Sequence, residues 1–478
     1  MQKLVLTIGA CLVALLVAAG LFAPTFIDEG LTLVEIAGQE ANAFPSGVKS
    51  VANLKETRLE ATAPLQTVLR NLNRVDRHPP LYYILLWIWT HVAGTGLYRA
   101  RLLSVAIFFA SVYVFGQWSR SLFTTMLFAF SPLLILFGTL ARDYVLAVFF
   151  IVVTVYLLDS AGDKNPWSTT VAASTGAAAV WSHYLAVFPI AVLVLWKLAE
   201  QPRSRKLRAA GALFFALITP VLFTASSEAA SATPTIYKGA TTLYEILRSF
   251  LRAPVNAFQL FPGPLDLAVS ALFLILFVTV LVRFRNEPPR VLVSIVILTV
   301  QLVALMALSA ASHQSLSTPR YLGLVAPFYC VLIGEAVTRA RKLKRIAAVT
   351  AISLIAGSSV LEAAKLVYIR FLQKQAFGGD PAHIFVAAGS GMTKWAMPET
   401  LVSDLPEQSK FLLLKSAQDV RTARSLIERQ TTFFCPTPED DHIDGYDRFQ
   451  RLFPAHRVRL FREFDCSSLT PDKSGEER

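Results

Sequence analysis

Residues 78–94 read HPPLYYILLWIWTHVAG. Whether this stretch crosses a membrane decides the orientation of everything after it. It is apolar enough to pass for a span. Counted as one, it would put Arg203, Arg205, Lys206 and Arg208, and then Arg339, Arg341, Lys342, Lys344 and Arg345, outside the cell. Short loops that carry Lys and Arg belong on the cytoplasmic side, so charge parity forbids the crossing. Pro79 and Pro80 at its start, with Tyr82, Tyr83, Trp87 and Trp89 along it, suit a helix lying at headgroup level.

Working outward, apolar runs occur at 4–26, 98–116, 122–140, 144–159, 169–182, 185–199, 209–225, 265–283, 291–310, 321–338 and 346–363. Alternation from the basic loops gives about eleven spans, with the N-terminus cytoplasmic and the C-terminus extracytoplasmic. The chain of 478 residues is 54% hydrophobic and 16% charged. Soluble chains carry about a quarter charged residues, so a soluble enzyme is excluded, and the repetition of runs excludes a single-span receptor. Met1–Ala23 reads as a retained first helix, because Pro24 is a poor cleavage context and the run is longer than a signal core. The formal charge of +12 does not describe a nucleic-acid footprint: residues 365–478 hold 16 basic and 16 acidic side chains, so the excess lies in the membrane part.

The expected architecture is therefore a polytopic α-helical membrane protein of the plasma or inner membrane. Its membrane part covers 1–364 and includes an outer loop, 27–97, with juxtamembrane helices at Leu31–Gln39 and Leu65–Leu72. A second outer loop, 226–266, holds an amphipathic stretch at Leu243–Leu251. From 365 to 478 the pattern changes to a small extracytoplasmic α/β domain. Strands are expected at His383–Ala388, Phe411–Leu414, Thr432–Phe434 and Val458–Phe461, with a helix at Gln418–Gln430. Cys11 and Cys330 sit in apolar runs; Cys435 and Cys466 sit in the polar tail, where a bridge is permitted but no spacing decides it.

With that topology, unusual polar residues gather on the outer side: Asp28-Glu29, Arg77-His78, Arg142-Asp143-Tyr144, His183-Tyr184, His313 and Arg320-Tyr321. Singly each has a plain reading, as a solvated helix end or an interfacial ion pair, and Arg99 and Arg101 read as snorkelling anchors. Jointly they point to function, since charge near spans is costly. A carboxylate takes a proton from an acceptor hydroxyl. Arg and His neutralise a phosphate leaving group. Aromatic side chains hold a sugar face or an isoprenoid. No HExxH or His-rich spacing supports a metal site; no cofactor is called for, although a divalent metal is compatible with this chemistry.

These residues resemble a known group. The acidic pair after the first span, His78-Pro79-Pro80-Leu81-Tyr82-Tyr83, Arg101-Leu102-Leu103-Ser104, Ser131-Pro132 before Ala141-Arg142-Asp143-Tyr144, and Pro319-Arg320-Tyr321-Leu322 are similar to landmarks of the GT-C integral-membrane glycosyltransferases. The nearest members are the bacterial protein-mannosyltransferase-like and aminoarabinose-transferase-like enzymes of glycosyltransferase family 39. The likeness covers about residues 20–340. It implies a GT-C fold and inverting transfer of a hexosyl or pentosyl group from a polyprenyl-phosphate donor to a hydroxyl of a protein, lipid or glycan. It also implies a base at Asp28 with Glu29 beside it, and phosphate contacts from His78, Arg142 and Arg320, with Arg77 in reserve. Tyr82, Tyr83, Asp143, Tyr144, His183, Tyr184, His313 and Tyr321 would line the substrates. Some relatives carry Lys where His78 stands, which makes any phosphate contact there pH-dependent. The alternative is a transporter or flippase of a lipid-linked saccharide, against which stand the few charges at span centres and the lack of an internal repeat. A non-enzymatic scaffold is the remaining reading.

Overall fold

Each apolar run expected as a span, where it falls within the described residues, forms helix. The computed structural model describes residues 2–40, 44–74, 78–160, 166–231, 289–312, 319–339, 344–377, 384–388, 402–405, 407–414, 432–436, 456–461 and 466–471. The expected span at 265–283, the amphipathic stretch at 243–251 and the tail helix at 418–430 lie outside them.

In chain order the helices are α1 (Gln2–Leu21), α2 (Ile27–Ile36), α3 (Val51–Arg58), α4 (Leu65–Arg74), α5 (Leu81–Ala93), α6 (Leu97–Ser119), α7 (Leu122–Ala129), α8 (Pro132–Thr139), α9 (Tyr144–Ser160) and α10 (Pro166–Ser182). They continue with α11 (Val187–Glu200), α12 (Arg205–Ser231), α13 (Pro289–Ser312), α14 (Pro319–Leu322), α15 (Ala326–Arg339) and α16 (Lys344–Phe377). The strands are β1 (Lys49–Ser50), β2 (Ile384–Ala388), β3 (Lys410–Leu414), β4 (Thr432–Pro436), β5 (His456–Phe461) and β6 (Cys466–Pro471). Two compact units emerge: 1–21, 77–82 and 101–364 in one, and 22–76, 83–100 and 365–478 in the other.

Among the described residues, Leu97–Ser119, Arg205–Thr224, Pro289–Ala311 and Arg320–Thr338 are long and apolar enough to cross a bilayer, and α7 with α8 adds a fifth if that pair is one bent span. The chain is a polytopic helical membrane protein. The run expected to be one straight span at 122–140 is bent by 57° between α7 and α8. Pro132 at the first position of α8, with Ser131 at its N-cap, explains the bend: proline has no N–H to continue the ladder and its ring crowds the preceding turn. The carbonyl of Phe130 released at the bend accepts from the Ser359 hydroxyl on α16. The core fills around this joint, with Phe115 stacked on Phe128 at 4.4 Å. Gly138 faces Phe108 so closely that a Cβ would fall 2.7 Å from its ring.

Arg101 is not a snorkelling anchor. It is fully buried, and its Nη1 donates to the carbonyl of Leu21 at 2.8 Å, one of the terminal carbonyls that a helix end leaves unbonded. One turn further along α6, Ser104 hydrogen-bonds the hydroxyl of Tyr82 at 3.0 Å. Both polar residues of the Arg-Leu-Leu-Ser stretch thus serve packing.

The second unit is built from pieces far apart in sequence. Its sheet has the order β1-β3-β2-β4-β6-β5, parallel at β3-β2-β4 and antiparallel elsewhere. β1, from the loop after α1, pairs antiparallel with β3 through Lys49↔Phe411 and Ser50↔Lys410. Phe44 packs edge-on against Phe411 at 5.5 Å, with the Arg58 guanidinium 5.2 Å from the Phe44 ring. The 13 residues of α5 reach only about 20 Å at ~1.5 Å per residue, short of a ~30 Å hydrocarbon core. Its tryptophans are anchored within this unit: Trp87 Nε1 donates to the Ala63 carbonyl and Trp89 Nε1 to that of Arg99, both at 2.8 Å.

Candidate active site

Asp28 and Glu29 do not trail the end of the first span, as the sequence suggests; they open a new helix. α1 ends at Leu21 and α2 begins at Ile27, so the two carboxylates fill the first turn, where the helix dipole favours negative charge. Both are buried rather than solvated. Glu29 has a local role, since its Oε2 accepts from the Phe26 backbone N–H at 2.9 Å, the reciprocal half of a capping box. The segment leading into α2 is clamped. Thr25 donates its N–H to Asp404 Oδ2 at 3.0 Å and its hydroxyl to Asp404 Oδ1 at 2.9 Å. Arg370 Nη1 meets the same Asp404 oxygen at 2.9 Å. Nearby, Lys55 Nζ donates to the Leu405 carbonyl at 2.8 Å. Burial pushes the Lys55 ammonium below its ordinary range, against the opposing pull of Glu407, Asp404 and Glu60.

In the first unit, residues from four separate segments converge. Arg142 Nη2 lies 2.9 Å from His78 Nε2. Guanidinium only donates, so His78 accepts and is neutral in this arrangement. Arg142 Nε is 3.6 Å from Asp143 Oδ1, with both side chains out of water. The Asp143 carbonyl takes the N–H of Ala147 in the first turn of α9, so the pair is fixed at a helix start. Tyr144 stacks on Phe137 at 4.9 Å and lies 5.5 Å from the His183 ring. His183 in turn lies 6.0 Å from Tyr321, and the Arg320 guanidinium is 5.0 Å from the Tyr321 ring centre.

His183 sits between α10 and the short turn 184–186, where its Nδ1 accepts from the Leu185 N–H at 3.3 Å. Burial first, and then the positive charges of Arg142 and Arg320, lower its pKa to about 3. Those groups therefore act on one buried point. His183 itself stays neutral and donates nothing to the cation count.

Of the other expected site residues, Tyr82 and Tyr83 are fully buried, the first committed to Ser104. Tyr184 is half-buried at the start of its turn. Arg77 and His313 lie outside the described residues. Among the described residues no three His, Cys, Asp or Glu side chains gather as metal ligands. Sequence reasoning missed Phe137, whose stacking on Tyr144 had no signal beyond an apolar run. It also missed the Thr25–Asp404 clamp, which joins residues on opposite sides of the spans in sequence.

No family model matches the sequence, and no curated protein does. Among solved structures the chain is similar to the crystal structure of ArnT from Cupriavidus metallidurans in the apo state. The TM-score is 0.55, with 12% identity over 98% of each chain. ArnT from the same organism bound to undecaprenyl phosphate matches with a TM-score of 0.48 and 13% identity, over 96% of this chain and 97% of that one. At such identity the likeness is one of architecture: over nearly its whole length, this chain has the fold of apo ArnT.

Proposed function

We propose that the chain is an inverting glycosyltransferase of the GT-C class, of the family 39 kind. It would transfer a hexosyl or pentosyl group from a polyprenyl-phosphate donor to a hydroxyl at the outer face of the membrane. The observation that carries this reading is the set His78, Arg142, Asp143 and Arg320 around His183. A guanidinium withdrawn from water, as that of Arg142 is, is costly; an anionic ligand offsets that cost. The fold shared with ArnT, a GT-C glycosyltransferase, supports the class.

In this mechanism Asp28 takes the proton of the acceptor hydroxyl. The hydroxyl oxygen attacks the anomeric carbon, and the bond from that carbon to the phosphate oxygen breaks with its electron pair. The departing polyprenyl phosphate is stabilised by Arg142 and Arg320. A single displacement inverts the anomeric centre. His78, neutral in its bond from Arg142, orients that guanidinium instead of adding charge to it. Tyr144 and Tyr321 would offer ring faces to the sugar or the isoprenoid. Charge parity places these segments outside, with about eleven spans, a cytoplasmic N-terminus and an extracytoplasmic tail.

The test is binding of a polyprenyl phosphate to the purified protein in detergent, beside the matching polyprenol. Saturable binding that needs the phosphate, and weakens at least tenfold in Arg142→Gln and Arg320→Gln, is expected; tenfold corresponds to about 1.4 kcal/mol. Equal binding of phosphate and alcohol, unchanged in both variants, overturns the assignment.

A further inference from the structure

α12 is one of the helices long and apolar enough to cross a bilayer, and it begins in a way that its own dipole opposes. Ser204 caps it: its Oγ takes the Leu207 N–H at 3.3 Å and its carbonyl that of Arg208 at 3.2 Å. Arg205, Lys206 and Arg208 follow, with no acidic residue in the first turn, and Arg203 precedes the cap. All four cations are exposed. Positive side chains at a helix N-terminus face the positive end of its macrodipole, a cost that a bound anion offsets. Beside them the ends of α9 and α11 meet the starts of α10 and α12 around a shallow groove. Leu158, Ala172, Val194, Ala210 and Gly211 give it apolar walls, and Lys197 lines it as well. Ala210 and Gly211 lie five and six residues into α12, so the groove opens about 8–9 Å inward of the helix start. Arg208, Ala212, Phe215, Thr219 and Leu222 follow one another at steps of four and three, on one helix face, and each is exposed. A row of cations thus leads into apolar surface. The acidic residues at this end of the four helices are Asp159 and Glu200. Glu200 is engaged, its Oε2 by the Lys197 ammonium at 2.8 Å and its Oε1 by the Trp196 indole N–H at 2.7 Å. An ammonium has three donors, so Lys197 can serve a second acceptor.

We propose that this end of α9–α12 binds an anionic phospholipid. Its phosphate meets Arg205, Arg208 and Lys197, its glycerol and first acyl carbons fill the groove, and its chains run along Phe215 and Leu222. None of these residues belongs to the site around His183, so the reading of sugar transfer does not enter. Both halves of the surface select this occupant. A soluble anion would use the cations and not the groove. A zwitterionic lipid would fill the groove but bring its own cation among the guanidiniums. An anionic lipid satisfies both, and each Lys or Arg near a membrane surface adds about fivefold to its attraction. Orientation of the chain in the bilayer requires only that Lys and Arg stand in the loop; it does not require them in the first turn of a helix, beside an apolar groove.

The experiment uses the full chain, purified in detergent and stripped of lipid. It is titrated with short-chain phosphatidylglycerol and, in parallel, with phosphatidylcholine of the same chains, and binding is read by melting temperature and by native mass spectrometry. Saturable binding that favours phosphatidylglycerol by about tenfold or more is expected. The triple variant Arg205→Gln, Lys206→Gln, Arg208→Gln should weaken it about 100-fold, at about fivefold per cation. Ala210→Leu fills the groove and leaves every charge in place. It should weaken phosphatidylglycerol about tenfold, and it decides the matter if the triple variant fails to fold. Equal affinity for the two lipids overturns the proposal, as does unchanged phosphatidylglycerol affinity in either variant. Full displacement of the lipid by inorganic phosphate would reveal a plain anion site and overturn it too. Polyprenyl-phosphate binding should be the same in wild type and in both variants; its loss along with phosphatidylglycerol would merge this surface with the donor site.

Discussion

His183 makes a quantitative case. It is buried, and its imidazole is held neutral down to about pH 3, first by burial and then by the charges of Arg142 and Arg320. In the unfolded chain it titrates near 6.5. Between those values the unfolded state binds a proton that the folded state refuses, so stability rises with pH across the window. It is complete above about pH 6.5 and is lost on acidification at about 1.4 kcal/mol per unit. At pH 5 the loss is about 2 kcal/mol, and it approaches roughly 5 kcal/mol as pH nears the folded value. The informative variant is His183→Asn. Its side-chain oxygen takes over the acceptor role toward the Leu185 N–H, yet it has no proton to gain. Unfolding in detergent at pH 7.5 and pH 5.0, followed by tryptophan fluorescence, should show wild type losing about 2 kcal/mol more than the variant between the two conditions. Equal acid sensitivity in both proteins would mean that other groups set the pH dependence and that His183 is not held neutral by its surroundings.

Three further outcomes are expected. Asp28→Asn should abolish most transfer, by about 10²-fold or more, while Glu29→Gln, whose amide oxygen still accepts from Phe26, should lose less than tenfold; a reversed order in a transfer assay would reassign the base. Gly323→Ala would bring a Cβ to 2.8 Å from Leu133 and closer still to the Phe137 ring, costing about 1–3 kcal/mol by overpacking. Because Phe137 stacks on Tyr144, polyprenyl-phosphate affinity should fall with it, and an unchanged melting curve would show that the ring yields freely. Asp404→Ala removes the acceptor for Thr25 and Arg370 and should destabilise by about 2–3 kcal/mol, read as a lower melting temperature; no change would show the clamp to be dispensable.

The helices were legible because hydropathy is a local signal. Tyr144–Ser160 and Pro166–Ser182 fall within three residues of the runs that foretold them. The tail strands Ile384–Ala388 and Lys410–Leu414 were readable for the same reason. β6 was not, since Cys-Ser-Ser-Leu-Thr-Pro lacks the alternation of a half-buried strand. The 57° bend is hidden inside an unbroken apolar run; Ser131-Pro132 is visible there, but the turn it imposes on the helix axis is not. The candidate site divides the same way. His78, Arg142, Arg320 and His183 stand out because charged or polar residues beside spans are rare. The role of Glu29 as a cap needed the true start of α2, and that of Arg101 needed the end of α1, two facts carried by tertiary packing.

The dispersal of the second unit along the chain sets an order of events during synthesis. β1 leaves the ribosome early, but its partner β3 comes only after the whole run of spans. At about 5–20 residues per second, the segment around Lys49 waits roughly 15–70 s for Phe411. During that interval residues 22–76 lack the strand and the Asp404 carboxylate that later fix them. The spans can be threaded into the bilayer meanwhile, because the unit they form, 1–21, 77–82 and 101–364, ends before the tail. Maturation of the acidic pair on α2 is thereby postponed until the tail has been synthesised. A chain stalled before residue 402 should carry an inserted helical bundle whose Asp28 segment remains open to protease, and release of the stall should close it.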